Sequence, residues 1–518
     1  MSKFGRFSWA LTLFFFVAAC GGDLPSPSTG DVTEAPSRLI RGNGGEPGTL
    51  DPGLAEDIHA FNIIADLYEG LVATDASGRI IAGVAKAWDI SPNGLTYTFH
   101  LRDDARWSNG DPVVAGDFVR AFARASEPGS IALLGFLLEP VEETAQTGER
   151  ELVVRLKRPT SYFLSVLTMP VAMPIHSTLQ HARNVQGEHV TNGAFRLKKS
   201  SKRIGAIDLE RNPFYWDADN VAIDEVRYLP IVDEYAELNQ FRTGEIHITQ
   251  SIPDSAVAQM RESAPRELHI SPMLALYYIA FDLTEPPFDN VNIRRALSMA
   301  VDRQTLAELL GRGEQPAYGI VPPGTTGHKN TGYGWQTQDQ AARLEEARDL
   351  LAAAGFSEDT PLRFTYLYDA GGIHEKVALA VGAMWQSALA VEVAFEKREW
   401  KHFLNARDRR DEWQLMRFAW FGDYDDPDTF LQIFSSESLQ NLPRLANPDF
   451  DRALREANTL IDATERSEAL ARAEELLLAE YPVAPLYFLA SKHLVHPSVR
   501  GFEQNVLDRH PTRFMSFE

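Results

Sequence analysis

The chain has 518 residues, at about 100 to 200 residues per domain room for roughly three, which supports substantial cores and excludes a small disulfide-held scaffold. Apolar residues make up 44% and charged residues 24%, the composition of a folded globular protein and not of a disordered one. Lys and Arg number 50 against 72 Asp and Glu, and the resulting charge of −22 repels phosphate backbones, so nucleic acid is excluded as a partner.

The N-terminus reads as a secretory signal. Lys3 and Arg6 give a positive start, Leu11 to Val17 an apolar run too short to span a bilayer as a mature helix, and Val17-Ala18-Ala19 small residues before Cys20. Cys20 is the one cysteine, so no intramolecular disulfide and no thiolate-cluster metal site can form. Val17-Ala18-Ala19-Cys20 resembles a bacterial lipobox, in which the thiol is lipidated and residues 1–19 are removed. That cleavage takes two cations and no acid, leaving 48 against 72, or −24. Residues 20–36, rich in Gly, Pro, Ser and Thr, then form a flexible tether to a membrane.

Further along, Leu95 to Leu101 alternates apolar and polar as a half-buried strand, followed by turn chemistry at Ser108-Asn109-Gly110-Asp111-Pro112. Leu152 to Leu156 repeats the strand pattern. Leu344, Ala347, Leu350, Leu351 and Ala354 share one face of a helix over Ala341 to Ala354, stopped by Gly355. Leu362 to Tyr368 is a strand, Val377 to Leu389 a helix and Val391 to Phe395 a strand, an alternation that implies α/β lobes. A last helix spans Thr464 to Ala479 and ends before Tyr481-Pro482, because proline disfavours helical backbone at the preceding residue.

The specific chemical motifs fail one by one. Gly42-Asn43-Gly44-Gly45-Glu46 lacks the Gly-Lys-Ser/Thr ending of a phosphate loop and the spacing of a dinucleotide fingerprint. His374-Glu375 begins like a zinc-protease helix, but Ala378 stands where the second ligand belongs. No Gly-x-Ser-x-Gly elbow is present. The acidic run Asp423 to Asp428 fails as a calcium loop, with Asp428 at the glycine position and Phe434 at the bidentate glutamate position. Trp420 and Phe421 before it, and Phe430 and Leu431 after it, point instead to a charged group lining a cavity.

Five stretches resemble one family. They are Glu46-Pro47-Gly48-Thr49-Leu50-Asp51-Pro52, Trp107 to Val113, Glu210-Arg211-Asn212-Pro213-Phe214-Tyr215-Trp216, Phe288 to Leu297, and Trp420 to Leu431. In this order they resemble the family 5 peptide-type solute-binding proteins of bacterial ABC importers. The resemblance implies an α/β, two-lobed periplasmic binding protein of the cluster C type, with a hinge and an additional domain inserted in lobe one. Lobe one comprises residues 37–58, 172–274 and 488–518, the inserted domain 59–171, and lobe two 275–487. The implied location is the periplasm, the protein anchored by lipidated Cys20 and monomeric, its partners short peptides and a permease with its ATPases.

The same resemblance implies site residues. Asp423 pairs with the ligand ammonium, a charge-assisted bond in a closed cleft. Ala275, Leu276 and Tyr277, Asp369 to Gly371, and Phe421 and Gly422 take the extended peptide backbone, as in strand addition. Arg417 and His374 match cations used for the ligand carboxylate, and Arg407 matches a third when a one-residue gap is placed in the loop 408–412. Trp400 and Trp420 match walls of side-chain pockets, and Glu46 matches a cleft residue or a hinge-stabilising pair. A family lysine aligns with Leu310, the nearest cation being Arg312, which implies a different length preference. No cofactor, metal or catalytic residue is implied. The fold also serves receptors for dipeptides, cell-wall tripeptides, nickel chelates and haem, and a secreted hydrolase is the reading from another class.

Overall fold

The computed structural model describes residues 37–127, 129–179, 190–199, 205–409 and 413–518; Cys20, the signal sequence and the tether lie outside the described residues. Three sheets organise the body. The first has the order Arg38–Gly42, Glu225–Leu229, Ile207–Arg211, Phe195–Leu197. The second runs Ala85–Ile90, Thr96–Leu101, Glu151–Leu156, Val141–Gly148. Helix Ala115–Ser126 buries Phe118, Ala121, Phe122 and Ala125, one face at helical spacing. Leu39 and Val226 of the first sheet share one apolar core with Phe99 and Leu152 of the second and with Phe118. The second sheet and this helix therefore rest on the first sheet through a continuous core.

The third sheet has six strands, ordered Gln315–Pro316, Val483–Leu494, Leu268–Phe281, Leu415–Phe421, Leu362–Asp369, Val391–Arg398. Its two central strands, Leu268–Phe281 and Leu415–Phe421, are antiparallel, while Leu362–Asp369 runs parallel to Leu415–Phe421 and to Val391–Arg398. The core of this sheet draws its fully buried members only from Leu274 to Phe488. The strands Leu268–Phe281 and Val483–Leu494 pair from Leu268↔Leu494 to Ala280↔Val483 and carry the chain between two cores. Leu494 packs with Leu238, Phe241 and Val257, whereas Ala280 and Val483 belong to the large core. Their ladder breaks between Pro272 and Leu276, where proline has no N–H to donate. The molecule is thus two-lobed, with a two-stranded connection interrupted near its middle.

Local chemistry explains the helices. Gln340–Ala353 starts at Asp339, whose carboxylate accepts from Ala342 N at 3.0 Å, and ends before Gly355, which sits at φ +92. Ala463–Ala479 is capped by Asp462, and the chain leaves it through Tyr481 at φ +47 before Pro482. The helix anticipated from Val377 begins earlier, at Gly372, so His374 lies in its first turn. Its opening residues, Gly372 to Lys376, hold one apolar side chain, Ile373, and so no apolar period; the start is set by Gly371 in extended conformation at the cap. The strand expected to end at Phe395 continues to Arg398, held in register with Leu362–Asp369 up to Asp369↔Arg398.

Most of the recognisable stretches are scaffold. Asp51 binds Arg124 in bidentate fashion at 3.0 and 2.6 Å. Trp107 Nε1 donates to Asp117 at 3.0 Å, and Gly110 turns the chain at φ +92. Tyr215 OH and Trp216 Nε1 both donate to Glu69, each at 2.6 Å. Arg294 donates to the carbonyls of Phe288 and Tyr481 at 2.7 and 3.1 Å.

Candidate ligand site in the large sheet

The site is built where the six-stranded sheet forks. Leu415–Phe421 pairs along its whole length with Ala275–Phe281, from Phe421↔Ala275 to Leu415↔Phe281. On its other side it meets Leu362–Asp369 only at Tyr366↔Leu415 and Leu367↔Met416. Beyond Met416 that edge has no strand partner among the described residues, so the backbone from Arg417 to Phe421 has no ladder on that side.

At the vertex lie Arg417, Asp369, His374 and Tyr277. Arg417 is paired in register with Ile279 and therefore shares a sheet face with Tyr277. Its guanidinium forms an ion pair with Asp369 and lies 5.0 Å from the Phe403 ring, 5.8 Å from that of Trp400 and 5.9 Å from that of Tyr277. Arg417 is 5% exposed, and its Nε has no hydrogen-bond partner. His374 Nδ1 is 3.1 Å from Tyr277 OH and its Nε2 3.8 Å from Asp369. Tyr277 lies between the rings of His374, at 5.6 Å, and Tyr487, at 4.8 Å. Burial first, then the charge of Arg417, lowers the His374 pKa to about 4, so the imidazole is neutral at pH 7. Gly371 makes this packing possible, since a Cβ there would stand 2.5 Å from His374 Cδ2.

At the far end, Gly422 N donates to Leu274 O at 2.7 Å, closing the strand pair, and Asp423 follows. Asp423 N donates to Thr429 Oγ1 at 3.2 Å, but its carboxylate has no hydrogen bond and no ion pair among the described residues. Burial raises its pKa from 3.8 to about 6, opposed by the charge of Arg509. Arg509 in turn has its pKa lowered by burial to about 10; it donates to Met169 Sδ at 2.8 Å and lies 5.9 Å from the Phe61 ring. It also lines a cavity of about 50 Å³ with Phe61, Thr168, Pro170 and Met173.

The loop carrying Asp423 is held from below. Arg466 binds Asp426 in bidentate fashion at 2.6 and 2.8 Å, with both groups buried. Tyr424 stacks on Tyr162 at 5.0 Å and donates to Asp428 at 3.0 Å. Asp425 accepts from Thr326 N at 2.8 Å. Of the six residues Asp423 to Asp428, the three carboxylates at 425, 426 and 428 are committed to structure, while that of Asp423 makes no such bond.

The remaining anticipated residues fall in different places. Trp420 Nε1 donates to Thr429 O at 2.8 Å, and the residue lies with Leu276 on the face opposite Arg417. Phe421 is 53% and Trp400 50% exposed, Trp400 stacking on Phe403 at 5.9 Å. Ala275, Leu276 and Tyr277 are buried in the strand, and Asp369 and Gly371 end theirs with Gly371 N donating to Asp369 O at 2.8 Å. Arg407 stands apart from the Arg417 group: it binds Asp408 at 2.7 Å and lies 5.7 Å from Phe418, a residue of the opposite sheet face. Glu46 is exposed and accepts from Gly205 N at 3.1 Å. Arg312 binds Asp254 at 2.7 Å and Glu314, and Asp254 also binds Lys492 at 2.8 Å. Arg509, Arg466 and Tyr162 were not anticipated, because no local pattern marks a residue whose partner lies 40 or more positions away.

Comparison with known proteins places these features. The family model for bacterial extracellular solute-binding proteins, family 5 (middle region), matches residues 79–441. The periplasmic oligopeptide-binding protein OppA of Escherichia coli K12 is 34% identical over 521 residues, covering 96% of this chain and 95% of that protein. The periplasmic murein peptide-binding protein MppA of the same organism is 31% identical, covering 92% of each. Among solved structures, the unliganded open form of MppA matches with a TM-score of 0.84 at 29% identity, over 93% of this chain and 98% of that one. Haemophilus influenzae OppA in complex with RPPGFSPFR matches at 0.75 and 31% identity, over 93% and 99%. With its two lobes, its stranded connection and these relatives along nearly its whole length, the chain belongs to the family 5 bacterial extracellular solute-binding proteins.

Proposed function

We propose that the chain is the extracytoplasmic receptor of an ABC importer, which captures short peptides in extended form as its lobes close and hands them intact to a membrane permease driven by cytoplasmic ATPases. The observation that carries this reading is the forked edge at Arg417 to Phe421, with a partnerless carboxylate at one end and a buried cation at the other. A peptide strand can add to that edge through its amides, which are common to all sequences. Its ammonium then meets Asp423 and its carboxylate the Arg417 and His374 group. At about 3.3 Å per residue the Cα atoms of Arg417 and Asp423 are at most ~20 Å apart along the strand, the length of an extended peptide of about six residues. Likeness to an unliganded open form supports a receptor poised before closure, with the bend near residues 274–275 and 487–488. Residues 37–58, 172–274 and 488–518 act as lobe one, 59–171 as its inserted domain and 275–487 as lobe two. Cys20 carries the lipid, and the monomer works from the membrane surface.

Mass spectrometry of what co-purifies with the tagless mature protein tests this. A mixed set of short peptides, lost in Asp423→Ala, is the expected result. A single species, a cell-wall tripeptide alone, or peptides retained by the variant overturns the ligand assignment, and cleavage of added peptides overturns the receptor role.

A further inference from the structure

Where the connecting strands enter lobe one, a group of side chains outside the ligand site converges on one carboxylate. His493 lies on strand Val483–Leu494, opposite His269. Asp508 and His510 lie in the C-terminal segment, where Asn505 brackets the turn by donating to Arg509 O at 2.8 Å and accepting from Arg509 N at 3.3 Å. Asp508 is held there at φ +52, a backbone region that a non-glycine residue occupies at a cost of about 1 kcal/mol.

The donor atoms are close together. His493 Nε2 is 2.8 Å and His510 Nε2 3.2 Å from the same oxygen, Oδ1 of Asp508, and the atoms of all three residues lie within 4.8 Å of one another. Ligands bonded to one tetrahedral ion at about 2.0–2.1 Å are about 3.3 Å apart, so an ion fits after a small expansion. The side chains are 6%, 11% and 5% exposed for His493, Asp508 and His510.

The outer shell also suits a metal. His493 Nδ1 is 2.9 Å from Thr249 O, and because a carbonyl only accepts, Nδ1 carries the proton and Nε2 is the nitrogen left to coordinate. Hydrogen bonds from both Nε2 atoms to Asp508 would make His493 a doubly protonated imidazolium in a buried site. A divalent cation in that place supplies the counter-charge with both imidazoles neutral. Phe502 walls the group, stacking on His510 at 4.1 Å and meeting His493 edge-on at 5.6 Å. Arg41, which donates to His510 O at 2.8 Å, is the neighbouring cation whose charge an ion held here must outweigh.

We propose that His493 Nε2, a carboxylate oxygen of Asp508 and His510 Nε2 bind a first-row divalent cation, with Zn²⁺ the best fit to two imidazoles and one carboxylate and water completing the shell. The ion staples the C-terminal segment to the foot of a connecting strand and stabilises lobe one without touching the ligand.

The test uses tagless mature protein stripped with chelator and passed through gel filtration after adding Zn²⁺ or Co²⁺. Expected are about one metal per chain, a Co²⁺ visible spectrum of tetrahedral intensity, and a higher melting temperature with Zn²⁺. His510→Gln and Asp508→Asn should each weaken Zn²⁺ affinity about tenfold or more and abolish the Co²⁺ bands, with far-ultraviolet circular dichroism confirming the fold. His496→Ala, which removes the neighbour of His247 at 6.1 Å, should leave binding unchanged. Failure to retain metal, binding unaltered in both ligand variants, or binding lost in His496→Ala overturns the proposal.

Discussion

Replacing Asp423 by Asn should move stability and affinity in opposite directions. Its carboxyl titrates at about 6 in the folded protein against 3.8 for the unperturbed group. The folded state therefore holds this proton more tightly than the unfolded chain, and stability falls as pH rises from about 3.8 to 6. Two units at 1.36 kcal/mol each put the penalty above pH 6 at ~3 kcal/mol. Asn carries no charge, so ligand-free Asp423→Asn should be more stable than the parent by up to ~3 kcal/mol at pH 8 and no more stable at pH 3.5. With peptide bound, the variant leaves a buried ammonium unpaired, which costs on the order of 3–5 kcal/mol, or roughly 10²- to several 10³-fold in affinity. Scanning calorimetry of the ligand-free proteins at both pH values, with titration calorimetry using a co-purifying peptide, measures both effects. In the parent, affinity should rise with pH up to about 6 and then level off. A variant less stable at pH 8 with unchanged affinity would show that Asp423 is a structural carboxylate and refute the argument.

Arg509 opposes the upward shift of Asp423, so Arg509→Met should move the affinity–pH midpoint to higher pH, measured by the same titrations. Arg466→Met should destabilise the protein by ~3–5 kcal/mol, because it leaves Asp426 charged and buried, and should weaken peptide binding by loosening the loop that carries Asp423; thermal melts and titration calorimetry read both. Arg417→Met removes the cation that helps hold His374 low, so the His374 ring proton resonance should titrate above the parent value of about 4 in NMR. Gly371→Ala needs no backbone strain, since φ is −85, but its Cβ displaces the His374 ring. It should cost ~1–3 kcal/mol and lower affinity most for peptides whose carboxylate reaches His374, read by comparing peptides of different length.

Much of this architecture is written locally. Leu362 to Tyr368 alternates as a strand buried mainly on one face must, and Asp462 and Gly355 mark helix ends through bonds to their nearest neighbours. The aromatic setting of Asp423 to Asp428 marked a cavity, and the family resemblance singled out Asp423. Which carboxylate stays free was settled only in three dimensions, where Arg466, Tyr424 and Thr326 engage the other three. The pairing of Arg417 with Asp369 spans 48 positions and that of His493 with Asp508 joins a connecting strand to the C-terminal segment. Arg407 and Arg417 look alike in sequence, yet the two-residue period of the strand sets Phe418, the partner of Arg407, on the face opposite Arg417. Hydrophobic period and capping act within a few residues and can be read along the chain. Charge, desolvation and the unpaired edge of a forked sheet depend on segments far apart in sequence, so they exist only once the packed lobes have brought those segments together.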